Sequence, residues 1–285
     1  DDQYDFSIVD RNLDILFRQN PNARILLSLA ASPPAWWGYK YPEEQCCDST
    51  GRIKHDYYAS HSYSSQKWLA DLEKAWMALF KHIQTTPYHD RIIGYFAPSG
   101  RYGECLRAGY NSQLYGKEMV DYSKPELLAF RRWLKQRYGT IAQMRRAYRD
   151  GKVPDNFDDI ALPTPAERAR PDSCYFPDPV VDRAVIDYRI FANDQSAEAV
   201  CAFTSILRKL AGPDKIIGLY YGYVLEDALG HRRAFASDSG HMAPGKVLND
   251  APVDFLIGPV GYHQREIGNV GPCMGAVASV ELHNK

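Results

Sequence analysis

Four short apolar runs, each about as long as a β-strand, restrict the fold of this sequence more than any other feature. They begin near Arg24, Ile92, Ile216 and Val253. Between the first two runs, apolar residues recur every three or four positions over residues 68–83, which predicts an amphipathic helix. Strands that alternate with helices are typical of a parallel sheet or barrel. The sequence therefore predicts an α/β fold.

Further helices are predicted around these strands. Ser7 is expected to be the N-cap of the first helix, and Ser123 the N-cap of a helix that has Pro125 in its first turn. Apolar spacing predicts other helices over residues 141–148, 182–210 and 240–248. Residues 152–179 are rich in Pro and Asp and lack periodicity, so we expect an irregular connection there.

Charge and hydropathy exclude two classes of partner. The 34 basic and 35 acidic residues among 285 leave a formal net charge of -1, so the basic footprint that nucleic-acid binding requires is missing. No apolar run approaches the roughly 20 residues of a membrane-spanning helix. The sequence predicts a soluble protein that binds neither nucleic acid nor membrane. Its compartment, cytoplasmic, periplasmic or secreted, stays open.

The cysteines favour free thiols over a metal site. The six cysteines are scattered and include no CxxC pair. Cys46 and Cys47 are adjacent, a geometry that is poorly suited to a disulfide between them. No nearby Cys or His completes the spacing of a zinc site. We expect no metal and no cofactor.

One acidic residue follows a strand in a position that is typical of catalytic groups. The apolar run at residues 92–96 is interrupted by Pro98, Gly100 and Gly103, so Glu104 should lie on a loop just past the C-terminal end of a strand. In parallel α/β folds, ligands and catalytic side chains lie at that end. The alternative interpretation, an ordinary solvated loop carboxylate, is equally compatible with this local pattern.

Aromatic residues follow two other strands. Trp36 and Trp37 come after two prolines in a predicted loop, where they form either a platform for the apolar face of a sugar or a packed loop. Tyr221 and Tyr223 end the third apolar run, and their spacing of two residues equally fits one face of a barrel strand.

Several stretches, in this order, resemble the catalytic domain of glycoside hydrolase family 42, a β-galactosidase-like family of retaining glycosidases. The resemblance covers nearly the whole chain. It rests on residues 4–7 with Asp10, residues 33–37, the strand that leads to Glu104, residues 130–139, Asp187 and Tyr188 with Phe191, residues 221–223, and residues 253–256 with Pro259 and Tyr262.

The resemblance implies a (β/α)8 TIM barrel that is incomplete in this chain. The four apolar runs correspond to barrel strands three to six, so the chain is expected to be a fragment. It implies a single domain over residues 1–285, with residues 105–181 as a helical and irregular excursion after strand four. An incomplete barrel exposes two sheet edges, which predicts association, for example as a homo-oligomer.

The same resemblance implies a chemistry. Glu104 matches the general acid/base of a retaining glycoside hydrolase, and the nucleophilic glutamate is expected beyond Lys285. The family places Asn directly before the acid/base, where it contacts the 2-hydroxyl of the sugar; here the residue is Gly103. The expected ligand is a carbohydrate.

We expect a sugar pocket around Glu104 that combines aromatic walls with hydrogen-bonding side chains. The predicted walls are Trp36, Trp37, Tyr221, Tyr223 and Tyr262, and the predicted hydrogen-bonding residues are Arg101, His241 and Arg265. His241 also fits a residue at the start of a helix, and Arg265 also fits a surface ion pair.

Two other functions remain open. A carbohydrate-binding barrel without catalysis would keep the aromatic residues and lack a working carboxylate pair. A β-amylase-like glucan hydrolase is also a barrel with a Gly-Glu acid.

Overall fold

Four parallel strands lie side by side in the order in which they occur in the chain. In the computed structural model they are β1 (Ile25–Ser28), β2 (Ile92–Phe96), β3 (Ile216–Tyr220) and β4 (Phe255–Ile257). The structure describes residues 3–53, 61–100, 102–108, 120–149, 153–169, 177–223, 238–258 and 266–268. Because each strand is parallel to its neighbour, the loops that follow the strands meet at one edge of the sheet. The strand predictions are confirmed.

Helices precede and separate the strands. They are α1 (Ser7–Gln19), α2 (Ala35–Lys40), α3 (Gln66–Gln84), α4 (Lys124–Tyr138), α5 (Ile141–Ala147), α6 (Pro165–Arg168), α7 (Arg183–Ala211) and α8 (Pro244–Asp250). None of the helices in the described residues is both long and apolar enough to cross a membrane.

Helices α3 and α7 pack against the sheet through aromatic side chains. Phe203 of α7 contacts Trp68 and Trp76 of α3, with ring centroids 6.2 and 6.4 Å apart. Phe80 of α3 lies 4.8 Å from the ring of Tyr95 in β2. These rings are buried, so the apolar stripe that predicts α3 is the surface that fixes β2 in place.

A second apolar cluster joins the segment between β2 and β3 to the rest of the fold. It contains Phe130 of α4, Met144 of α5, and Tyr188 and Phe191 of α7. The C-terminal half of α7 belongs to the cluster under the sheet instead. Helix α7 therefore ties the two clusters together, whereas the division into one domain with an excursion stays a prediction.

Three local predictions are wrong. Ser7 is the first residue of α1 rather than its N-cap, which is Phe6, and the backbone N–H of Ser7 is bound by the Asp5 carboxylate at 2.9 Å. Trp36 lies in helix α2 rather than in a loop. The helix predicted from residue 240 begins at Pro244, because a proline is readily accepted only in the first turn.

The predicted irregular connection contains two short elements. A 3-10 turn spans Phe157–Asp159, and α6 begins at the N-cap Thr164 with a reciprocal bond between Thr164 and Glu167. This capping box explains a helical turn in a stretch without apolar periodicity.

Candidate active site

The loop that carries Glu104 continues directly from β2. The backbone N–H of Ala97 still bonds to Gly218 O at 3.0 Å, as if the sheet extended one residue further. The loop then closes on itself, with the N–H of Cys105 donating to Ser99 O at 2.6 Å. Ser32, after β1, accepts the N–H of Gly100 at 2.9 Å. Glu104 therefore lies at the C-terminal edge of the sheet, as predicted.

Four residues of this loop have left-handed backbone angles. The φ angles are 65° at Gly100, 57° at Tyr102, 76° at Gly103 and 57° at Cys105. At Gly100 a Cβ atom would lie 2.4 Å from both Leu106 O and the Tyr63 hydroxyl, so no other residue fits. Left-handed Tyr and Cys are uncommon and persist only where the surroundings hold them. The backbone on both sides of Glu104 is therefore held in place by its surroundings.

Tyr223 and His241 both contact Glu104. The Tyr223 hydroxyl donates to Glu104 Oε2 at 2.6 Å. The imidazole Nε2 of His241 lies 2.9 Å from Glu104 O, and because a carbonyl only accepts, this nitrogen carries the hydrogen. Glu104 itself is half-buried. Both its backbone and its carboxylate are held by residues that follow β3.

His241 is a neutral, buried support. Its side chain is 0% exposed and packs between Tyr221 and Tyr223, with ring centroids 4.6 and 4.7 Å away. Burial lowers the pKa of His241 from 6.5 to about 4, although its bond to the Glu104 backbone acts in the opposite direction. The imidazole therefore carries no charge near neutral pH.

The predicted sugar-binding residues differ in what they can reach. Tyr221 is 1% exposed and donates its hydroxyl to Gly240 O at 2.8 Å. Tyr223 and His241 bond to Glu104, and Tyr221 packs against His241, which favours a supporting role for the three over a contact with the sugar. Their predicted sugar contacts remain untested. Arg101, Tyr262 and Arg265 lie outside the described residues.

The two tryptophans lie elsewhere. Trp36 is 62% exposed, whereas Trp37 is buried and its indole N–H donates to Asp71 at 2.8 Å. Both line a cavity of about 730 Å³ between the start of α1, the end of β1, α2 and α3. Glu104 does not line this cavity. The prediction of a sugar platform therefore rests on Trp36 alone as an exposed ring, and it stays a prediction.

A buried ion pair that the sequence does not predict anchors the far end of the Glu104 loop. Arg107 donates to Glu126 Oε1 of α4 at 2.5 Å, and Glu126 also accepts from Tyr188 at 2.9 Å and from Ser64 at 2.7 Å. Burial acts to lower the pKa of Arg107, but the attraction of Glu126 raises it overall, so the guanidinium stays charged. No spacing signal could reveal this contact, because its partners come from four separate segments.

The described cysteines are free thiols, as predicted. Cys46, Cys47, Cys105 and Cys201 form no disulfide, and Cys174 and Cys273 lie outside the described residues. Burial raises the pKa of the Cys105 thiol to about 12, so it stays protonated next to Glu104. Within the described residues, no three His, Cys, Asp or Glu side chains are grouped so that they could hold a metal ion.

Comparison with known proteins identifies the family. The model of glycoside hydrolase family 42, described as beta-galactosidase, matches residues 1–95 and 110–226. The chain belongs to this family. It is 24% identical to the beta-galactosidase bgaB of Geobacillus kaustophilus over 218 residues. The aligned region covers 75% of this chain and 28% of the relative. Residues 96–109, which include Glu104, lie outside the family match.

Solved structures share the fold. The beta-galactosidase of the psychrophilic Marinomonas ef1 superposes with a TM-score of 0.62 at 19% identity, over 92% of this chain and 35% of that one. The catalytic domain of a beta-amylase from Paenibacillus polymyxa superposes with a TM-score of 0.68 at 14% identity, over 99% of this chain and 71% of that one. The fold is thus part of a (β/α)8 barrel, as predicted, and the chain spans about a third of the length of the family 42 relatives.

Proposed function

We propose that this chain belongs to a retaining glycoside hydrolase that cleaves β-galactosides, with Glu104 as the general acid/base. One observation carries the proposal. In a family 42 chain, Glu104 lies at the C-terminal edge of the parallel sheet, on a strained loop, with its carboxylate bound by a buried tyrosine. Catalytic groups of barrel enzymes lie at that edge.

The chemistry requires two carboxyl groups. In a retaining enzyme, one gives a proton to the glycosidic oxygen while the other attacks the sugar carbon, and the two lie about 5–5.5 Å apart. We assign the first role to Glu104. The nucleophile stays a prediction, a glutamate that follows Lys285 in a longer protein. Glu226, which follows Tyr223 in the sequence and fits a solvated loop residue better than a second catalytic carboxylate, lies outside the described residues.

Substrate contacts follow from the same assignment. Arg101, Tyr262 and Arg265 remain the predicted hydrogen-bonding and stacking partners of the sugar, and Trp36 remains a predicted aromatic wall with an exposed ring. A carbohydrate is the only ligand class proposed. Association through the sheet edges stays a prediction.

The test is Glu104→Gln in the full-length protein that contains this chain. We expect hydrolysis of lactose to fall by about 10²–10⁴-fold, the usual contribution of a general acid. Glu43→Gln is the matched control, because Glu43 is an exposed carboxylate before the first gap in the described chain. Unchanged lactose hydrolysis by Glu104→Gln would rule out the assignment.

Two rival functions predict different outcomes. The likeness to the beta-amylase shows the fold alone, but it covers 99% of the chain and makes soluble starch the substrate to compare with lactose. Release of maltose from starch without hydrolysis of any β-galactoside would favour that rival. Equilibrium binding of galactosides without turnover would favour a carbohydrate-binding barrel.

A further inference from the structure

The two carboxylate oxygens of Glu104 are in different environments. The Tyr223 hydroxyl lies 2.6 Å from Oε2 and 3.4 Å from the Glu104 backbone carbonyl. A distance of 2.6 Å is typical of a short O–H···O bond to a charged acceptor. The phenol therefore distinguishes Oε2 from Oε1.

We propose that Tyr223 is a positioning residue that directs the catalytic proton of Glu104 to Oε1. The proposal rests on the proposed function of Glu104. With the proton on Oε1, Oε2 is a carbonyl-type oxygen and still accepts from Tyr223. With the proton on Oε2, two O–H groups would face each other at 2.6 Å, and the bond would be lost or reversed.

The same contact serves both halves of a retaining reaction. In the first half, the proton on Oε1 moves to the glycosidic oxygen, which keeps the electron pair of the breaking bond to the sugar carbon, while the second carboxylate bonds to that carbon. In the second half, Oε1 takes a proton from the attacking water as the bond to the second carboxylate breaks. A phenol donates to Oε2 in each state, so no side chain has to turn between the steps.

Tyr223 is rigid enough for this role. Its side chain is 3% exposed, and its ring packs edge-on against His241, with centroids 4.7 Å apart and planes at 89°. His241 in turn bonds to Glu104 O at 2.9 Å. The backbone of Glu104 and its carboxylate are thus held by one packed pair of rings, which restricts both the position and the rotation of the acid.

A comparison of leaving groups tests the proposal. In the full-length protein, Tyr223→Phe is measured on 2,4-dinitrophenyl β-galactoside, whose leaving group departs without a proton, and on lactose, whose leaving group needs one. We expect kcat/KM for lactose to fall by about 10–100-fold, less than the ~10²–10⁴-fold loss of the acid itself. For the dinitrophenyl substrate we expect a change of less than about threefold, because no proton transfer contributes to its departure.

Tyr221→Phe is the matched control. It removes the same hydroxyl from a buried tyrosine two residues away, one that bonds to Gly240 O rather than to Glu104. Any effect of this variant is expected to be the same factor for both substrates. If Tyr223→Phe lowers kcat/KM by the same factor for both substrates, the positioning role is overturned and Tyr223 is a structural residue.

Two further results keep the outcomes distinct. If Glu104→Gln lowers kcat/KM by the same factor for both substrates, the acid/base assignment fails, and the proposal for Tyr223 fails with it. If Tyr223→Phe does not fold, p-aminophenylalanine at position 223 retains the ring and an N–H donor. For this variant we expect kcat/KM to fall for lactose alone, by less than in a variant without any donor at position 223. An equal fall in kcat/KM for both substrates would overturn the proposal.

Discussion

His241 should make the fold sensitive to acid. The imidazole is 0% exposed, and burial lowers its pKa to about 4 from the ordinary value of 6.5. In the unfolded chain the same group binds a proton at about pH 6.5. Between these two values the unfolded state binds more protons than the folded state. The contribution of neutral His241 to the free energy of unfolding should therefore be fully present above pH 6.5, and it should be lost as the pH drops towards 4.

The size of the effect follows from the two pKa values. Their difference, at roughly 1.4 kcal/mol for each pH unit, corresponds to about 3 kcal/mol when the pH falls below both. Between pH 7 and pH 4.5 the loss due to His241 should be about 2 kcal/mol. This is a large part of the 5–15 kcal/mol that is usual for a folded domain.

The perturbation is His241→Gln, which removes the titrating group and keeps an N–H donor for Glu104 O. The variant also loses the ring contacts with Tyr221 and Tyr223, so its stability at pH 7 should be lower. The informative quantity is the change in the free energy of unfolding between pH 7 and pH 4.5. We expect this change to be smaller in the variant than in the wild type by about 2 kcal/mol.

Urea unfolding, followed by tryptophan fluorescence at both pH values, measures this change. His89→Gln is the control, because the His89 side chain is 42% exposed and lies on the surface. We expect the control to keep the pH dependence of the wild type. An identical loss of stability in His241→Gln and the wild type would refute the conclusion that His241 is buried in its neutral form.

Three other variants test the surroundings of the site. Glu126→Gln leaves the buried Arg107 without its closest counter-charge and should lower the free energy of unfolding by about 3–5 kcal/mol, measured by thermal unfolding; a loss below about 1 kcal/mol would contradict a buried, charged pair. Trp37→Ala should cost about 3–5 kcal/mol because this ring is buried. Trp36→Ala should change stability by less than about 0.5 kcal/mol and raise KM for a β-galactoside if the exposed ring binds sugar; an unchanged KM would remove Trp36 from the site.

The sequence predicts the elements of this fold because each has a local signal. The stripe over residues 68–83 repeats with the period of a helix, and α3 spans Gln66–Gln84. Apolar runs of four or five residues predict β1, β2 and β3 to within a few residues. Ser123 caps α4, as its position before Pro125 predicts. Each of these signals depends only on residues that are close together in the sequence.

The arrangement around Glu104 has no comparable signal. Tyr223 and His241 are separated from Glu104 by 119 and 137 residues, respectively. An aromatic residue at the end of a strand is compatible with a sugar platform and with a buried support, and only packing against His241 distinguishes the two. The two tryptophans show the same limit of sequence-based prediction, because Trp36 is exposed and Trp37 is buried although they are adjacent in the sequence. Sequence therefore predicts the edge of the sheet at which the site lies, but not which residues line it.

Gly103 is the one position where the family resemblance and the sequence differ beside the acid. Its φ angle of 76° lies in the left-handed region, which glycine adopts freely and which asparagine tolerates better than most residues. A Cβ atom there would lie 3.0 Å from the Pro98 side chain, a tight contact that would require the proline to shift. An asparagine here would therefore be strained, whereas glycine adopts this backbone freely. Glycine frees the Glu104 loop of that strain but offers no side-chain amide beside the acid, so we expect its consequence to fall on recognition of the sugar rather than on the position of Glu104.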